Sequence, residues 1–346
     1  MNSFAEVQND KTFRQQLEFL LPRMFLLVLV LVSIFGARST ELRTFSVVFI
    51  SILFEALPFM LLGSLAGGFI EEYMPRQKLV SLMPEGSTKA VFAAAAIGFV
   101  FPVCECAIIP VVRRLLRKGV PFSAAIAYLL AGPIVNPLVA ISTAVAYFYN
   151  WKIVILRVGL GYAAAVLVGL LVSRLVKQDE RLASQEQLIH DELAENSQTE
   201  HESTHNAFAR FHRAIRHGAN DFLEVACFLI AGAFFAGAAQ TFIHRQAIIS
   251  VMSETWLSIL IMMVMAIALN LCSEADAFVA SSFRNLVSVP GQLGFLVLGP
   301  MFDIKLFFMY FSIFSRKTAI TLAVTTITTV YLLVWLSSFI TPEIGL

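Results

Sequence analysis

The chain has 346 residues, of which 58% are hydrophobic and 14% charged, with a mean hydropathy of +0.77. Soluble domains carry roughly a quarter of charged residues, so this balance excludes an ordinary soluble globule and indicates a polytopic membrane protein. A net charge of +1 gives no support to nucleic acid as a partner.

The N-terminus, MNSFAEVQNDKTFRQQ, lacks the apolar core and small-residue cleavage site of a removable signal peptide. Nine apolar stretches follow, at 17–37, 45–70, 90–112, 122–149, 153–172, 219–243, 256–283, 292–314 and 318–340. Each approaches or exceeds the roughly 20 residues that cross a hydrocarbon core. Backbone polar groups in lipid are satisfied only in helices or closed barrels, and runs this long without alternation predict helices. The expected fold is an all-α polytopic membrane protein of about nine transmembrane helices. Several stretches are long enough to tilt, break or re-enter.

The densest basic cluster, RRLLRKG, follows the third stretch and contains Arg113, Arg114, Arg117 and Lys118. The positive-inside rule puts it in the cytoplasm. Counted as full crossings, the stretches then put Arg38, Arg43 and the segment 174–217 inside, with an external N-terminus and an internal C-terminus. Arg316 and Lys317 oppose that count, and a re-entrant hairpin would change it.

Residues 173–213 read as a polar cytoplasmic linker between two membrane halves. Five of the six histidines fall within 174–217, and HESTH (201–205) matches the zinc-protease pattern H-E-x-x-H. Two histidines at i and i+4 on a helix can share a metal, with Glu202 as base. The surrounding AENSQTEHESTHNAF offers almost no apolar face to build a site on, so a solvated linker is the better reading.

An internal repeat is legible. FEALPFMLLGSLAGG (54–68) aligns with LEVACFLIAGAFFAG (223–237), pairing Glu55 with Glu224 and Gly63 with Gly232. VCECAIIPVVRRLLRKGVP (103–121) aligns without gaps with CSEADAFVASSFRNLVSVP (272–290), and LAGPIVNP (130–137) with VLGPMFDI (297–304). Glu105 thus matches Glu274, and Asn136 matches Asp303. The chain divides into an N-terminal segment with its own helix (1–43), a first membrane repeat (44–172), the linker (173–213) and a second membrane repeat (214–346). Full-span counting makes the repeats parallel; a hidden half-span inverts one. Both arrangements recur in transporters, with substrate held between the repeats.

Helix breaks are expected at Pro102, at Gly132, Pro133 and Pro137, and at Gly299 and Pro300. Unwound backbone at membrane depth survives only where it lines protein or a wet cavity. Polar residues cluster beside these breaks, although a charge at a helix centre costs about 2.5–3.5 kcal/mol on insertion scales. Cys104, Glu105, Cys106, Asn136, Ser273, Glu274, Asp276, Asp303 and Lys305 are the candidate substrate contacts. Glu55, Glu105, Glu224, Glu274 and Asp303 are candidates for proton or charge coupling. The competing roles are structural: Glu55 and Glu224 as helix pins, the cysteines as small hydrophobes. Cys104 and Cys106 form a soft-ligand pair, Cys272 can add a third sulfur, and Cys227 reads as packing. The pair is too small for structural zinc and lacks C-x-x-C redox spacing, and no nucleotide-binding loop is present. No metal and no cofactor is expected.

FPVCECAIIPVVRRLLRKGVPFSAAIAYLLAGPIVNPLVA, with LCSEADAFVASSF and LVLGPMFDIK, resembles the predicted-permease family of YraQ-type proteins and ArsP organoarsenical exporters. The likeness covers nearly all of the chain except the N-terminus and linker. It implies an inner-membrane permease and, for the arsenical branch, export of trivalent organoarsenicals that bind thiols. Cys104-Glu105-Cys106 matches the family's cysteine motif, with Ala107 where glycine often follows. Asn136, Asp276, Asp303 and Lys305 fall on its other polar positions. The expected activity is non-enzymatic: alternating-access movement of a small solute, including efflux of a thiophilic one. The alternatives are a permease for a metal ion or polar metabolite, and a membrane redox or metal-handling subunit. The partners expected are the solute and the bilayer, and association into a homo-oligomer stays open.

Overall fold

The computed structural model describes residues 40–73, 87–100, 103–176, 207–242, 255–284 and 286–339. The first apolar stretch, HESTH and Pro102 lie outside the described residues, as does the side chain of Glu224.

All regular structure among the described residues is helical, in two runs of six. The first run is α1 (Thr40–Tyr73), α2 (Ser87–Val100), α3 (Glu105–Arg117), α4 (Phe122–Ala131), α5 (Pro137–Ala146) and α6 (Trp151–Leu175). The second is α7 (Ala207–Phe242), α8 (Thr255–Leu269), α9 (Ala275–Ser282), α10 (Val289–Leu298), α11 (Ile304–Tyr310) and α12 (Arg316–Ser338). Four helices, α1, α6, α7 and α12, contain spans long and apolar enough to cross a membrane. The others are short because the sequence interrupts them with Gly, Pro or a capping side chain.

α1 and α7 lie antiparallel along most of their length. Gly68 meets the backbone of Ala214 and Gly218, and Gly218 in turn meets Ser64 and Leu65. At one end Phe45 packs edge-on to Phe234 at 5.4 Å. At the other, Glu72 bonds Arg213 at 3.0 Å and Arg210 at 3.2 Å, and Arg210 covers the Tyr73 ring. Small residues at the seam let the backbones approach, as membrane helices require when hydrophobic driving force is absent.

The direction of each segment follows from who touches whom. α3 runs the same way as α1, since Gly63 meets Ala107 while Gly67 meets Pro110 and Arg114. Tyr73 and Arg117 therefore lie toward one end of the bundle, and the chain between them makes no net crossing. α6 runs antiparallel to α4, with Gly161 on Ile134 and Gly169 on Ser123. The far end gathers Tyr147, whose hydroxyl donates to Gln292 Oε1 at 2.9 Å, and Phe148, covered by Arg284. Phe314 returns to the first end, where it meets Phe122 at 5.8 Å.

Among the described residues six passes result: α1, α6, α7 and α12 unbroken, α4/α5 and α10/α11 broken. The stretches 90–112 and 256–283 instead enter and return on the same side, because the chain turns back at their polar interruptions. Full-span counting therefore misassigns the ends. Arg43 lies at the end opposite the basic cluster, and Arg316 and Lys317 start α12 at the same end as that cluster. The charges that opposed the sequence count thus join it.

Replacing Gly68 with Ala puts a methyl inside contact distance of the Ala214 carbonyl, whereas a Cβ at Gly159 meets nothing within 4 Å. Gly68→Ala is expected to destabilise the protein by about 1–3 kcal/mol through overpacking. Gly159→Ala is expected to leave it unchanged. Thermal unfolding in detergent separates the two.

Candidate functional site

Each re-entrant or broken segment is built from local rules. Cys104 starts α3 in extended conformation, which puts Glu105 in the first helical turn, where the helix dipole favours an anion. Asn136 caps α5, its Oδ1 accepting from Leu138 N at 2.9 Å, with Pro137 at the first helical position. Asp303 caps α11 in the same way, accepting from Leu306 N at 2.6 Å. Asn270 ends α8 with φ of 49°, a left-handed position that Asn tolerates. With its amide nitrogen toward Asp303 it donates to both carboxylate oxygens, at 2.9 and 2.7 Å. Gln240 on α7 donates to the carbonyl of Leu269, the last residue of α8. Side chains thus replace the helical bonds that the interruption removes.

The interruptions lie against each other. A Cβ at Gly98, near the end of α2, would sit 3.1 Å from Gly132 Cα, and Gly132 lies under Ile108 of α3. In the second half, Gly299 leaves room for the carboxylate of Asp276, which would be 2.6 Å from a Cβ there. A Cβ at Gly98 would press on the Gly132 backbone, and one at Gly132 or Gly299 would displace the tip of a neighbouring side chain. Pro133 and Pro300 each follow one of them in the interrupted turn.

A small cavity opens between α1 and the starts of α3 and α11. Cys104, Glu105, Cys106, Cys272, Lys305 and Glu55 line it, with Ile52, Ala56 and Phe59 as its apolar wall. Its centre is an ion pair between the two runs of helices: Lys305 Nζ donates to Glu105 Oε1 at 3.0 Å and lies 3.7 Å from Asp303 Oδ2. Both Glu105 and Lys305 are buried, and Glu105 Oε2 has no hydrogen-bond partner. Glu274, half-buried, accepts from Cys272 Sγ at 2.6 Å and from Ser273 Oγ at 3.4 Å. Among the described residues, no group of three or more His, Cys, Asp or Glu is arranged to hold a metal ion.

The candidates therefore separate. Cys104, Glu105, Cys106, Lys305 and Glu55 share the cavity, with Ser273, Glu274 and Asp303 joined to its lining residues. Asn136 is occupied as a cap. Asp276 is not among the lining residues, and its Oδ2 lies 3.9 Å from Arg157 Nη2. Cys227, on α7, bonds the Leu223 carbonyl. Sequence reasoning missed Arg157 and Asn270. The signal for Arg157 was available: a lone arginine inside the apolar stretch 153–172 is a functional candidate by default. Asn270 carries no comparable mark.

Comparison with known proteins gives a concordant picture. A family profile described as a predicted permease, ArsP_1, matches residues 41–339. The chain is 37% identical over 281 residues to the UPF0718 protein YcgR of Bacillus subtilis, covering 81% of this chain and 92% of that protein. It is 33% identical over 285 residues to a putative two-component membrane permease complex subunit of Streptococcus mutans, covering 82% and 92%. A shorter match, 24% over 124 residues, is to the UPF0718 protein MJ0584 of Methanocaldococcus jannaschii. No solved structure matches.

The ion pair has a direct energetic consequence. Removing one partner strands a buried charge, which costs about 3–5 kcal/mol. Lys305→Met is expected to destabilise by that order, and adding Glu105→Gln is expected to restore most of the loss. Thermal unfolding of both single variants and the double variant gives the coupling.

Proposed function

The chain belongs to this family of predicted permeases, and from that premise we propose a secondary permease of the cytoplasmic membrane that moves a small thiophilic solute by alternating access. One observation carries the proposal: thiols from both runs of helices, Cys104 and Cys106 with Cys272, line one cavity around the Lys305–Glu105 pair. Soft sulfur ligands select soft, thiol-seeking groups such as a trivalent arsenical. Three thiols beside two carboxylates and an ammonium suit a solute that exchanges its ligands for cysteine sulfur and releases them again.

The two runs act in this proposal as inverted copies of one six-helix unit, 44–172 and 214–346. α1 and α7, which match in sequence, run in opposite directions, and each run carries one re-entrant pair and one broken pass. Inverted units with the site at their interface support alternating access by exchange of the conformations of the two halves. The basic end, holding Arg113, Arg114, Arg117, Lys118, Arg316 and Lys317, then faces the cytoplasm.

A second reading has its own support. Glu105, Glu274, Asp276 and Asp303 outnumber Lys305 and Arg157 in this region. A fully ionised site would carry excess negative charge, which a proton or a cationic solute neutralises. Such a permease would carry a metal ion or polar metabolite, with the cysteines as packing.

Uptake of a trivalent methyl- or phenylarsenical into proteoliposomes separates the two. The thiophilic reading expects Cys104→Ser, Cys106→Ser and Cys272→Ser each to reduce transport about tenfold, the factor attached to 1.4 kcal/mol. Transport unchanged in all three, with loss only in Glu105→Gln, would leave the cation or metabolite reading standing.

A further inference from the structure

We infer that Arg157 is a positioning residue: from the first run of helices it holds the interrupted segment of the second run, and so sets how Cys272 and Glu274 face the cavity. The inference builds on the cavity as a solute site, but its test needs no solute.

Arg157 lies on α6 and is fully buried. Its guanidinium joins three elements. Nη1 donates to Thr143 Oγ1 on α5 at 2.8 Å, and Nη2 donates to the Ser273 carbonyl at 2.8 Å. Nη2 also lies 3.9 Å from Asp276 Oδ2 at the start of α9. Thr143 is itself fixed, since its hydroxyl donates to the Val139 carbonyl at 2.6 Å. The Thr143 proton is thereby committed to its own helix, and its lone pairs face the guanidinium.

The point held is the one that matters for the cavity. Ser273 lies between Cys272, a cavity-lining thiol, and Glu274, which accepts from that thiol at 2.6 Å. Asp276, the other contact, packs its Oδ2 against Gly299, the first residue of the neighbouring interruption. One side chain from the first run thus touches one interruption of the second run directly and the other through Asp276. Among the described residues, the first run has no such tie at the matching place. Ala107 occupies the position aligned with Asp276, and Ile108 packs apolar carbon on Gly132, the counterpart of Gly299. Lys305 makes the reverse connection, from the second run to Glu105.

Packing alone does not account for Arg157. A buried guanidinium is costly to desolvate, and a leucine would fill similar space without that cost. What the guanidinium offers is a planar fork that bonds acceptors on two different elements at once. Lysine keeps the charge but presents it at one point.

The test is the rate at which a maleimide alkylates each native cysteine in membranes, read peptide by peptide by mass spectrometry. Cys104 and Cys272 are both half-buried, so their rates report local opening, and Cys227 on α7 is the remote reference. Arg157→Gln is expected to raise the Cys272 rate about five- to thirty-fold, the change that loss of one or two stabilising contacts gives a local opening. Cys104 and Cys227 should change less than about twofold. Arg157→Lys should fall between Gln and wild type. Thr143→Val, which removes one acceptor and keeps the shape, should raise Cys272 alone by a smaller factor. The inference is overturned if Cys272 is unaffected in both Arg157→Gln and Thr143→Val, or if all three thiols accelerate together. Should Arg157→Gln fail to accumulate in membranes, the Cys272 rate in Thr143→Val decides alone.

Discussion

Backbone that leaves the helix inside a bilayer must find its hydrogen-bond partners within the protein, and among the described residues this chain meets that constraint at three places around one buried ion pair. Lys305 and Glu105 belong to different runs of helices, each beside an interruption. Either charge alone would be costly to bury in a membrane. Their pairing joins the two runs at the cavity, alongside the longer α1–α7 seam, and the lining thiols stand around it. Asn136, Asp303, Asn270 and Gln240 supply the bonds that the interrupted backbone lacks.

The same constraint explains why the interruptions do not simply weaken the fold. Glycines 98, 132 and 299 stand where another backbone or side chain lies within about 3 Å of where a Cβ would be, so the broken segments are closely packed against their neighbours. A segment held by a few specific bonds between rigid helices can have a second arrangement, whereas a continuous helix has few. Re-entrant α2/α3 and α8/α9 are such segments, and they carry the sulfurs of the cavity and Glu105, while Glu55 comes from α1.

Much of this was legible in the sequence. Composition and nine apolar stretches gave the membrane class, and the Gly-Pro and Cys-Glu-Cys positions marked the interruptions. What stayed hidden has physical causes. Length alone cannot tell a stretch that crosses from one that returns, because both hide the same apolar surface, so 90–112 and 256–283 were counted like the rest. Partners were equally invisible. Glu105 and Glu274 align, yet one bonds an ammonium 200 positions away and the other a thiol two positions away. Lys305 lies two positions from Asp303, but its shorter contact is to Glu105. Asn136 and Asp303 align and share a role as helix caps, which sequence similarity alone did not distinguish from ligand binding.

Thiols from the two runs of helices line one cavity around the Lys305–Glu105 pair. Bridging of native cysteines by dibromobimane, which fluoresces when it joins two nearby thiols, tests it most directly. The structure predicts a fluorescent adduct whose proteolytic digest links the peptide of Cys104 and Cys106 to the peptide of Cys272, lost on prior denaturation. Single attachments at these cysteines, with no bridge between the two peptides, would contradict it.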